Sequence, residues 1–418
     1  MKIQVENISS VKKSIRVEVP QEAVSHEYHH TLGHLQKDVR LAGFRPGKAP
    51  IPLIIKKYEA ELNEEVLRKL IPEYGQKAIK EARLSPIDTP LIEEIVFQKD
   101  APLFFTAIVD ILPEINLAEY KGITLSKLDI PITPEEVAQG LTILQGQQGF
   151  LEGLPDDHAI AAPDYVIVDF IGEVGGRTLS GGKKKDCPIE VGSAQTHPEI
   201  SAALLGHKTG ERIVVDVTMP IDDVDPEIAG KTARFTIDIK EIKTKRLPEL
   251  DEEFAKDLGF DSLAALNEKV LDSLTTERAR IEEQRQKNQL MNQLIALHPI
   301  EAPAPMISRE LALLLKQRKM TLESDAAQVA ELSAIAEMRV KGSLILSAIT
   351  EKEKIEVSPA EMEEAIKQMT ENMRVPFEQG KQEILKNPDA LNGLRGMTLE
   401  GKTLDWIYAT AQFEEAKK

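Results

Sequence analysis

Alternating apolar and polar residues open the chain and predict two amphipathic strands. The apolar positions are Ile3, Val5, Ile8, Ile15, Val17 and Val19. Side chains at every second position of a strand share one face, so each segment has an apolar face for a core. A turn around Ser9-Ser10 joins the segments into a hairpin.

Helical and strand-like stretches complete the predicted N-terminal unit. One helix opens at Pro20 and runs to about Leu41, and another begins near Pro52, where the missing N–H of proline has no helical partner to lose. The remaining predicted elements are helices near 59–70 and 72–82 and strands at 91–98 and 103–111. This order predicts an α+β unit whose loop projects from a sheet.

A proline-punctuated connector leads to a strand-rich middle segment. Residues 113–150 contain Pro113, Pro131 and Pro134 and a short helical run at 134–150. The strand-like runs that follow are 166–171, 213–217 and 234–239, with glycines between them. The Gly-rich stretch 176–183 has the wrong register for a nucleotide-binding loop, so it is predicted to form turns of a small twisted sheet.

The rest of the chain has helical periodicity. The predicted helices lie near 262–298, 304–323, 325–351, 358–373 and 399–415. The middle of the first, Thr275–Gln289, offers only Ala279 and Ile281 to a core, so we expect it to be exposed and to bridge two packed regions. An elongated helical body with arms and a concave, partly apolar surface is expected.

Composition and length limit the class of protein. A chain of 418 residues suggests about three domains of ~150 residues each. No apolar run approaches the ~20 residues of a membrane span, and the N-terminus lacks the apolar core of a signal peptide. The single cysteine, Cys187, excludes an internal disulfide framework. These features predict a cytoplasmic protein that does not bind membranes.

The charge is unevenly distributed along the chain. Residues 1–112 carry 16 basic and 16 acidic residues, so the remainder carries the whole net charge of −17. An acidic body repels nucleic acid at long range. Any contact with RNA must therefore come from a locally basic segment, and residues 37–57 hold six cations and one acid.

That basic segment contains Gly43-Phe44-Arg45-Pro46-Gly47-Lys48-Ala49-Pro50. Proline followed by glycine predicts a type II turn, because proline presets one φ angle and glycine supplies the positive one. A rigid tip with an aromatic and cations suits phosphates and acidic side chains. On residue chemistry alone, the alternative to a binding tip is an ordinary solvent-exposed turn between two helices.

The segment resembles the ribosome-docking signature of the trigger factor family, bacterial chaperones at the polypeptide exit tunnel, and the similarity continues along the chain. The resemblance implies these ribosome-binding residues: Gly43, Phe44, Arg45, Gly47 and Lys48. It implies as partners a tunnel-exit protein of the large ribosomal subunit, adjacent ribosomal RNA, and nascent and unfolded polypeptides. The resemblance also allows a homodimer when the protein is not bound to the ribosome, and it implies no cofactor.

The middle segment resembles the FK506-binding type of prolyl isomerase inserted in that family. Its landmarks are Val168-Asp169-Phe170-x-Gly172, Leu204-Leu205-Gly206-His207-Lys208-x-Gly210-Glu211 and Phe235. The implied fold is a multidomain α+β protein with an FKBP-like twisted antiparallel sheet and an all-α C-terminal domain. The implied domains are 1–112 for ribosome binding, 113–149 as linker, 150–245 as isomerase and 246–418 as chaperone domain.

The resemblance also places an isomerase pocket. The matching positions are Phe170, Leu179, Cys187, His197, Ile200, Asp223 and Phe235. Cys187 stands where the family usually has Phe, and Asp223 where a Tyr usually caps the pocket. No Tyr, Trp or Phe occurs from Ile171 to Arg234. Such pockets act by taking the prolyl amide out of water, so we expect weak peptidyl-prolyl cis-trans isomerase activity.

Methionines are concentrated in the helical region. Eight of the ten lie beyond residue 245, and Met adapts to many apolar shapes. Most individual methionines are better explained as core fillers. Met362, Met369 and Met373, on an otherwise charged helix, are the predicted client-facing stripe.

The first helix carries His26, His30 and His34 on one face. Histidines at this spacing can bind zinc or nickel when another ligand closes the site, but no acidic or thiolate partner is evident. A solvated or packed face is the preferred interpretation, and no metal site is predicted.

Two functions compete at this point. The first is an ATP-independent holdase docked at the ribosome, combined with a weak prolyl isomerase in residues 150–245. The alternative is a holdase or assembly chaperone that works off the ribosome without isomerase function. Cosedimentation with ribosomes that is lost at high salt would separate them.

Overall fold

The chain forms two units, and one of them is built from both ends of the sequence. The computed structural model describes residues 1–39, 44, 48, 50–175, 177–193, 196–219 and 230–415. Met1–Leu128 and Glu282–Lys418 form what we call the discontinuous unit, and Asp129–Ile281 form the continuous unit. The division falls within one long helix, α6 (Leu263–Leu297).

The N-terminal part of the discontinuous unit is an antiparallel sheet covered by two helices. Its elements are β1 (Lys2–Asn7), β2 (Lys12–Val19), α1 (Gln21–Asp38), α2 (Ile51–Glu81), β3 (Leu91–Val96) and β4 (Leu103–Asp110), followed by β5 (Thr124–Lys127) in the connector. The strand order is β1-β2-β4-β3. Ile15, Val17 and Phe105 from the sheet pack with Tyr28 and Leu62 from the helices. The predicted hairpin and α+β unit are confirmed.

One predicted helix boundary in this unit is wrong. Helices were expected at 59–70 and 72–82, but Ile51–Glu81 is one element with Pro72 inside it and a non-helical residue at Tyr58 (φ −125°, ψ 27°). A proline inside a helix removes one hydrogen bond. The helix continues through Pro72 because Leu70 and Ala78, on either side, are buried in the same core.

The continuous unit centres on a five-stranded antiparallel sheet. Its elements are α3 (Pro134–Gln147), β6 (Phe150–Gly153), β7 (Tyr165–Val174), β8 (Arg177–Glu190), α4 (Pro198–Leu204), β9 (Arg212–Thr218), β10 (Thr232–Arg246) and α5 (Glu252–Asp257), together with the start of α6. The order is β6-β10-β7-β8, with β9 also paired to β10. Of the Gly-rich stretch 176–183, predicted as turns, Gly176 lies outside the described residues and residues 177–183 belong to β8. A one-residue bulge separates Lys184 from Cys187 in the pairing with β7, and a longer irregularity between Thr178 and Lys183 contains the glycines, which have no partner in the described part of β7.

The C-terminal part of the discontinuous unit is helical. Beyond α6 it contains α7 (Ala304–Gln317), α8 (Ala326–Glu353), α9 (Pro359–Met373), α10 (Phe377–Lys386), α11 (Pro388–Ala409) and β11 (Gln412–Glu415). The helix predicted at 399–415 therefore begins earlier and ends at Ala409. The last residues pair in parallel with β5, whose Leu125 is fully buried. No helix among the described residues has the length and apolar character needed to cross a membrane.

The second half of α6 binds the connector through polar side chains. Gln289 Oε1 accepts hydrogen bonds from the Ser126 N–H (3.2 Å) and hydroxyl (2.9 Å). Gln293 Nε2 donates to the Thr124 carbonyl (3.0 Å), and Glu282 accepts from the Leu128 N–H (2.8 Å). Among the described residues no strand pairs with β5 on the side that faces α6, so these side chains satisfy its backbone groups there.

This arrangement corrects the expectation that Thr275–Gln289 is exposed throughout. Its first turns are mostly exposed, but Gln286 is only 3% exposed. Its carbonyl oxygen accepts from the Tyr408 hydroxyl (2.6 Å), and its amide nitrogen donates to Glu282 (2.8 Å). A polar stretch was mistaken for a solvated one because its partners come from distant parts of the chain.

Glu282 gives this interface a defined pH dependence. Arg285 nitrogens lie 2.7 and 2.8 Å from its carboxylate and, with the Leu128 N–H, lower the pKa of Glu282 to about 2 from the usual 4.5. A depressed folded-state pKa stabilises the fold above the unfolded pKa, and the contribution is lost as pH falls toward 2.

We predict that Glu282→Gln lowers the free energy of unfolding above pH 5 and reduces its fall between about pH 4.5 and 2. Urea unfolding at a series of pH values measures both effects. The matched control is Glu81→Gln, since Glu81 is exposed and forms no hydrogen bond or ion pair within the described residues. Identical pH profiles for wild type and Glu282→Gln would contradict the assignment.

Candidate functional site

The predicted docking tip lies between α1 and α2. The first helix ends at Val39, which is extended (φ −75°, ψ 133°), and the second is preceded by Pro50 and has Pro52 in its first turn. Phe44 is 42% exposed, and Lys48 is also exposed. Gly43, Arg45 and Gly47 lie outside the described residues.

Exposed residues of both kinds continue from the tip into the first turns of α2. Ile51 and Leu53 are 45% and 46% exposed, and Lys56 and Lys57 are exposed beside them. Apolar and cationic side chains thus lie on the same short stretch of surface. Such a surface can contact a mixed protein and phosphate partner.

The histidine face of α1 forms a row of rings in which His26 and His30 are stacked and His30 and His34 meet edge to face. The His26 and His30 ring centroids are 6.5 Å apart, and those of His30 and His34 are 4.7 Å apart. His30 also lies 3.4 Å from Glu27. In the described part of the chain, no group of three or more His, Cys, Asp or Glu side chains is arranged to hold a metal ion.

Two phenylalanines form the centre of the predicted isomerase pocket. Phe170 on β7 and Phe235 on β10 meet edge to face, with ring centroids 6.1 Å apart. Gly172 makes room for this contact, because a Cβ there would lie 2.7 Å from Phe235 Cε1 and 3.4 Å from Leu179 Cδ1. The structure therefore brings Phe170, Leu179 and Phe235 together around one glycine.

The other pocket positions lie on β8 and at α4. Cys187 and Ile200 are half-buried and pack on the same core as the two phenylalanines. His197 immediately precedes α4, and its Nδ1 lies 3.4 Å from Glu199 Oε2. Asp223 lies outside the described residues. Four of the predicted pocket residues thus share one apolar core: Phe170, Cys187, Ile200 and Phe235. His197 instead lies beside the Glu199 carboxylate.

Beside this pocket, a bulge in β8 organises a charged cluster. Asp186 has a left-handed φ of 51°, and its N–H donates to Asp169 Oδ1 at 2.8 Å. This hydrogen bond holds the pKa of Asp169 below its usual range, and Lys240 and Lys185 add to the effect. Lys240 Nζ lies 3.2 Å from Asp169 and 2.7 Å from Asp186.

A second candidate site is an apolar groove in the discontinuous unit. We call the methionine groove the cavity of about 740 Å³ whose lining includes four methionines, one each from α6, α7, α9 and α11: Met291, Met306, Met369 and Met397. Leucines complete its floor and sides: Leu313, Leu346 and Leu394. Met397 is 63% exposed and Leu313 is 55% exposed, so apolar surface is accessible to a bound chain.

Charged residues border the methionine groove, and most are already paired. Arg309 binds Asp88 at 2.7 Å, and Arg339 binds Glu310 at 2.9 Å. The Ser343 hydroxyl donates to Glu400. Because these charges are mutually satisfied, the groove offers apolar contact without a strong charge preference.

The three methionines of the predicted client-facing stripe on α9 differ in burial. Met362 and Met369 are half-buried and pack on a core formed by Ile366, Ile384 and Leu394. Met369 also lines the groove. Met373 is 58% exposed and is not part of the groove lining. The three methionines therefore do not share one surface.

The sequence matches trigger factors along its length. Family models described as "Bacterial trigger factor protein (TF)" and its C-terminus match residues 1–144 and 262–409. The trigger factor of Geobacter sp. (strain M21) is 31% identical over 100% of this chain and 99% of its own. That of Geobacter metallireducens is 32% identical over 99% and 98%. This chain belongs to the trigger factor family.

A solved structure shows the same fold. It was reported as "Promiscuous Substrate Recognition in Folding and Assembly Activities of the Trigger Factor Chaperone" and aligns with a TM-score of 0.60, covering 98% of this chain and 99% of its own. The two sequences are 18% identical. The multidomain α+β class, with a β-rich middle domain and a helical C-terminal region, is confirmed.

Several groove residues were missed by sequence reasoning. Met291, Met306 and Met397 each lie on a different helix, and no local pattern connects them. The available signal was the concentration of methionines in the helical region of a trigger factor chain. Which of them face one another depends on helix packing, which a single sequence does not specify.

The close approach at Gly172 gives a testable consequence. We predict that Gly172→Ala displaces the Phe235 ring and destabilises the protein by about 1–3 kcal/mol, because an added methyl group overpacks the site. Thermal and urea unfolding of the full chain measure this. Gly153→Ala in β6 is the control, since a Cβ there meets nothing within 4 Å. Equal stability of the two variants would contradict the proposed packing.

Proposed function

We propose that this trigger factor is an ATP-independent holdase that docks at the ribosomal exit tunnel in the cytoplasm and holds nascent chains. The observation that carries the proposal is the methionine groove. Unfolded chains present apolar side chains of many shapes, and methionine adapts to such variety at low cost. Several weak apolar contacts along one flexible client add up to useful avidity.

The division of labour between segments is part of the same proposal. Residues 113–149 and 246–418 would form the main client surface, with 1–112 contributing part of it. The N-terminal sheet supports this contribution, because Leu91 and Val96 on its edge strand β3 are 60% and 54% exposed. Residues 150–245 would then be dispensable for holding, although they carry the isomerase fold.

We predict that Met397→Glu weakens suppression of aggregation of a chemically denatured model protein by several-fold. A carboxylate in the groove must be desolvated when an apolar client binds. The matched control is Met338→Glu, because Met338 is 46% exposed but is not part of the groove lining. Equal loss in both variants, or no loss in either, would show that the groove is not the holding surface.

The ribosome-docking part of the proposal rests on the family membership and on the exposed tip. Phe44 and Lys48 are accessible, and Arg45 is proposed to pair with an acidic side chain of a tunnel-exit protein. Lys48 would contact adjacent ribosomal RNA. Interactions of exposed charges are screened by salt, so docking is proposed to weaken as ionic strength rises.

We predict that the triple variant Phe44→Ala/Arg45→Ala/Lys48→Ala no longer cosediments with ribosomes but keeps its fold and its holdase activity. A control with the same change in charge and a similar loss of apolar surface is Ile8→Ala/Arg16→Ala/Lys80→Ala, which alters exposed residues elsewhere in the same domain that form no ion pair within the described residues. Cosedimentation of the tip variant at the wild-type level would rule out this docking site.

The isomerase part of the proposal is that the middle domain works weakly. The barrier to prolyl rotation is about 18–20 kcal/mol, and an apolar pocket lowers it by desolvating the amide. Phe170 and Phe235 would supply the aromatic contacts of the proposed pocket, while Cys187 and Ile200, which pack on the same core, would supply smaller apolar surface. Less aromatic surface gives less binding in the twisted state.

We predict prolyl isomerase turnover well below that of an aromatic-rich relative, with a gain in Cys187→Phe. Cys187 packs on the same core as both phenylalanines, so a third ring there enlarges the aromatic wall. A protease-coupled assay with a proline peptide measures turnover, and circular dichroism checks that the variant folds. Wild-type turnover equal to that of the relative would contradict the proposal.

A second candidate function is chaperone work off the ribosome. The solved relative carries both folding and assembly activities in its description, and the methionine groove would serve either role. Absence of cosedimentation for the wild-type chain, together with intact holdase activity, would favour this alternative. A homodimer off the ribosome belongs to it and is testable by analytical ultracentrifugation.

A further inference from the structure

A row of unpaired cations lies along one edge of the middle sheet. The strand β8 pairs only with β7 in the part of the chain that the structure describes, so its outer edge is free there. Four exposed cations lie on it: Arg177, Lys183, Lys184 and Lys185. Among the described residues, none of the four forms a hydrogen bond or an ion pair.

The acidic residues beside these lysines are already engaged. Asp169 and Asp186 both bind Lys240, at 3.2 and 2.7 Å. Asp169 also accepts the Asp186 N–H. Both carboxylates are therefore paired with Lys240 and form no ion pair with Lys183 or Lys184. Residues 177–186 carry four basic residues and one acidic residue in a chain of net charge −17, so the edge has a local positive charge.

The cations border the aromatic pair. Lys184 lies directly opposite Phe170 in the antiparallel register of β7 and β8. Residues directly opposite one another project from the same face, with Cβ atoms about 4.5–5.5 Å apart. The ring of Phe170 in turn contacts that of Phe235. The aromatic pair and the Lys184 side chain thus lie on the same face of the sheet.

We propose that this edge, together with the Phe170–Phe235 pair, binds extended proline-containing segments that carry Asp or Glu next to the proline. The proposal rests on the proposed prolyl-binding role of the pocket and names its substrate class. The proline ring would lie on the aromatic pair while a flanking carboxylate meets Lys184, which shares the face of Phe170. Lys183 is the adjacent residue and projects from the opposite face, so it adds only to the positive charge of the edge. An extended segment can also pair its backbone with a free strand edge.

Edge lysines have another common role, which is to keep apolar strands from pairing with an exposed edge. That role needs charge at the edge but no relation to a pocket. The register that sets Lys184 against Phe170 favours recognition instead, because it links the charge to the place where a proline would bind.

Binding of labelled peptides to the full chain, followed by fluorescence anisotropy, tests the proposal. The peptides share one Leu-Pro centre and differ in their flanks, which are Glu, Gln or Lys, and each has a version with Ala in place of Pro. We expect the Glu-flanked proline peptide to bind about 10-fold more tightly than the Gln-flanked one, as a few exposed ion pairs allow. The Lys-flanked peptide should bind most weakly.

The variant Lys183→Gln/Lys184→Gln/Lys185→Gln should reduce the affinity for the Glu-flanked peptide to that for the Gln-flanked one. The matched control is Lys316→Gln/Lys367→Gln/Lys386→Gln, which removes the same charge from exposed helical positions. High salt applied to the wild-type chain should produce the same loss, so the test does not depend on the folding of a variant.

The outcomes separate the two proposals. Equal affinity for Glu- and Gln-flanked peptides, with binding still dependent on proline, would overturn the acidic preference and leave prolyl binding in place. Acid-dependent binding that ignores the change of Pro to Ala would overturn the combined site. Stronger competition by a single-stranded RNA than by the Glu-flanked peptide would overturn it in favour of a phosphate-binding surface.

Discussion

The discontinuous unit depends on hydrogen bonds between the connector backbone and the side chains of α6. A connector strand that is paired on one side only, as β5 is with β11, leaves N–H and C=O groups on its other side that must find partners. Here Glu282, Gln289 and Gln293 supply them along β5, and the buried His298 accepts the Ala118 N–H at 3.0 Å. The polar composition of this half of α6 is therefore a requirement of the fold and not a sign of exposure.

Polar side chains also join the N-terminal sheet region directly to the helical part of this unit. Ser10 in the β1–β2 turn donates to Glu301 at 2.9 Å, and Arg309 binds Asp88. Both of these contacts are polar. They do not use the apolar side chains of the methionine groove, where Met397 and Leu313 are more than half exposed.

Sequence reasoning succeeded where the determinants are local. Prolines at 50 and 52 mark the start of α2, and alternation between Lys2 and Val19 marks the hairpin. It failed where contacts with distant residues determine the local structure. The Gly- and Lys-rich sequence of β8 is typical of turns, yet this segment forms a strand because it pairs with β7. Phe170 and Phe235 could be paired from the family pattern, whereas Met291 and Met397 could not, because only tertiary packing brings them to one groove.

The pairing of β11 with β5 has a consequence for biosynthesis. A ribosome adds residues in order, and everything from 128 to 411 is translated between these two strands. The continuous unit, being one uninterrupted stretch, has all its residues available well before the discontinuous unit does. Until translation reaches Gln412–Glu415, β5 lacks its parallel partner and the connector is incompletely covered. During its own synthesis, therefore, this chain spends a long interval with an incompletely folded unit. Such incompletely folded nascent chains are the clients that it is proposed to hold.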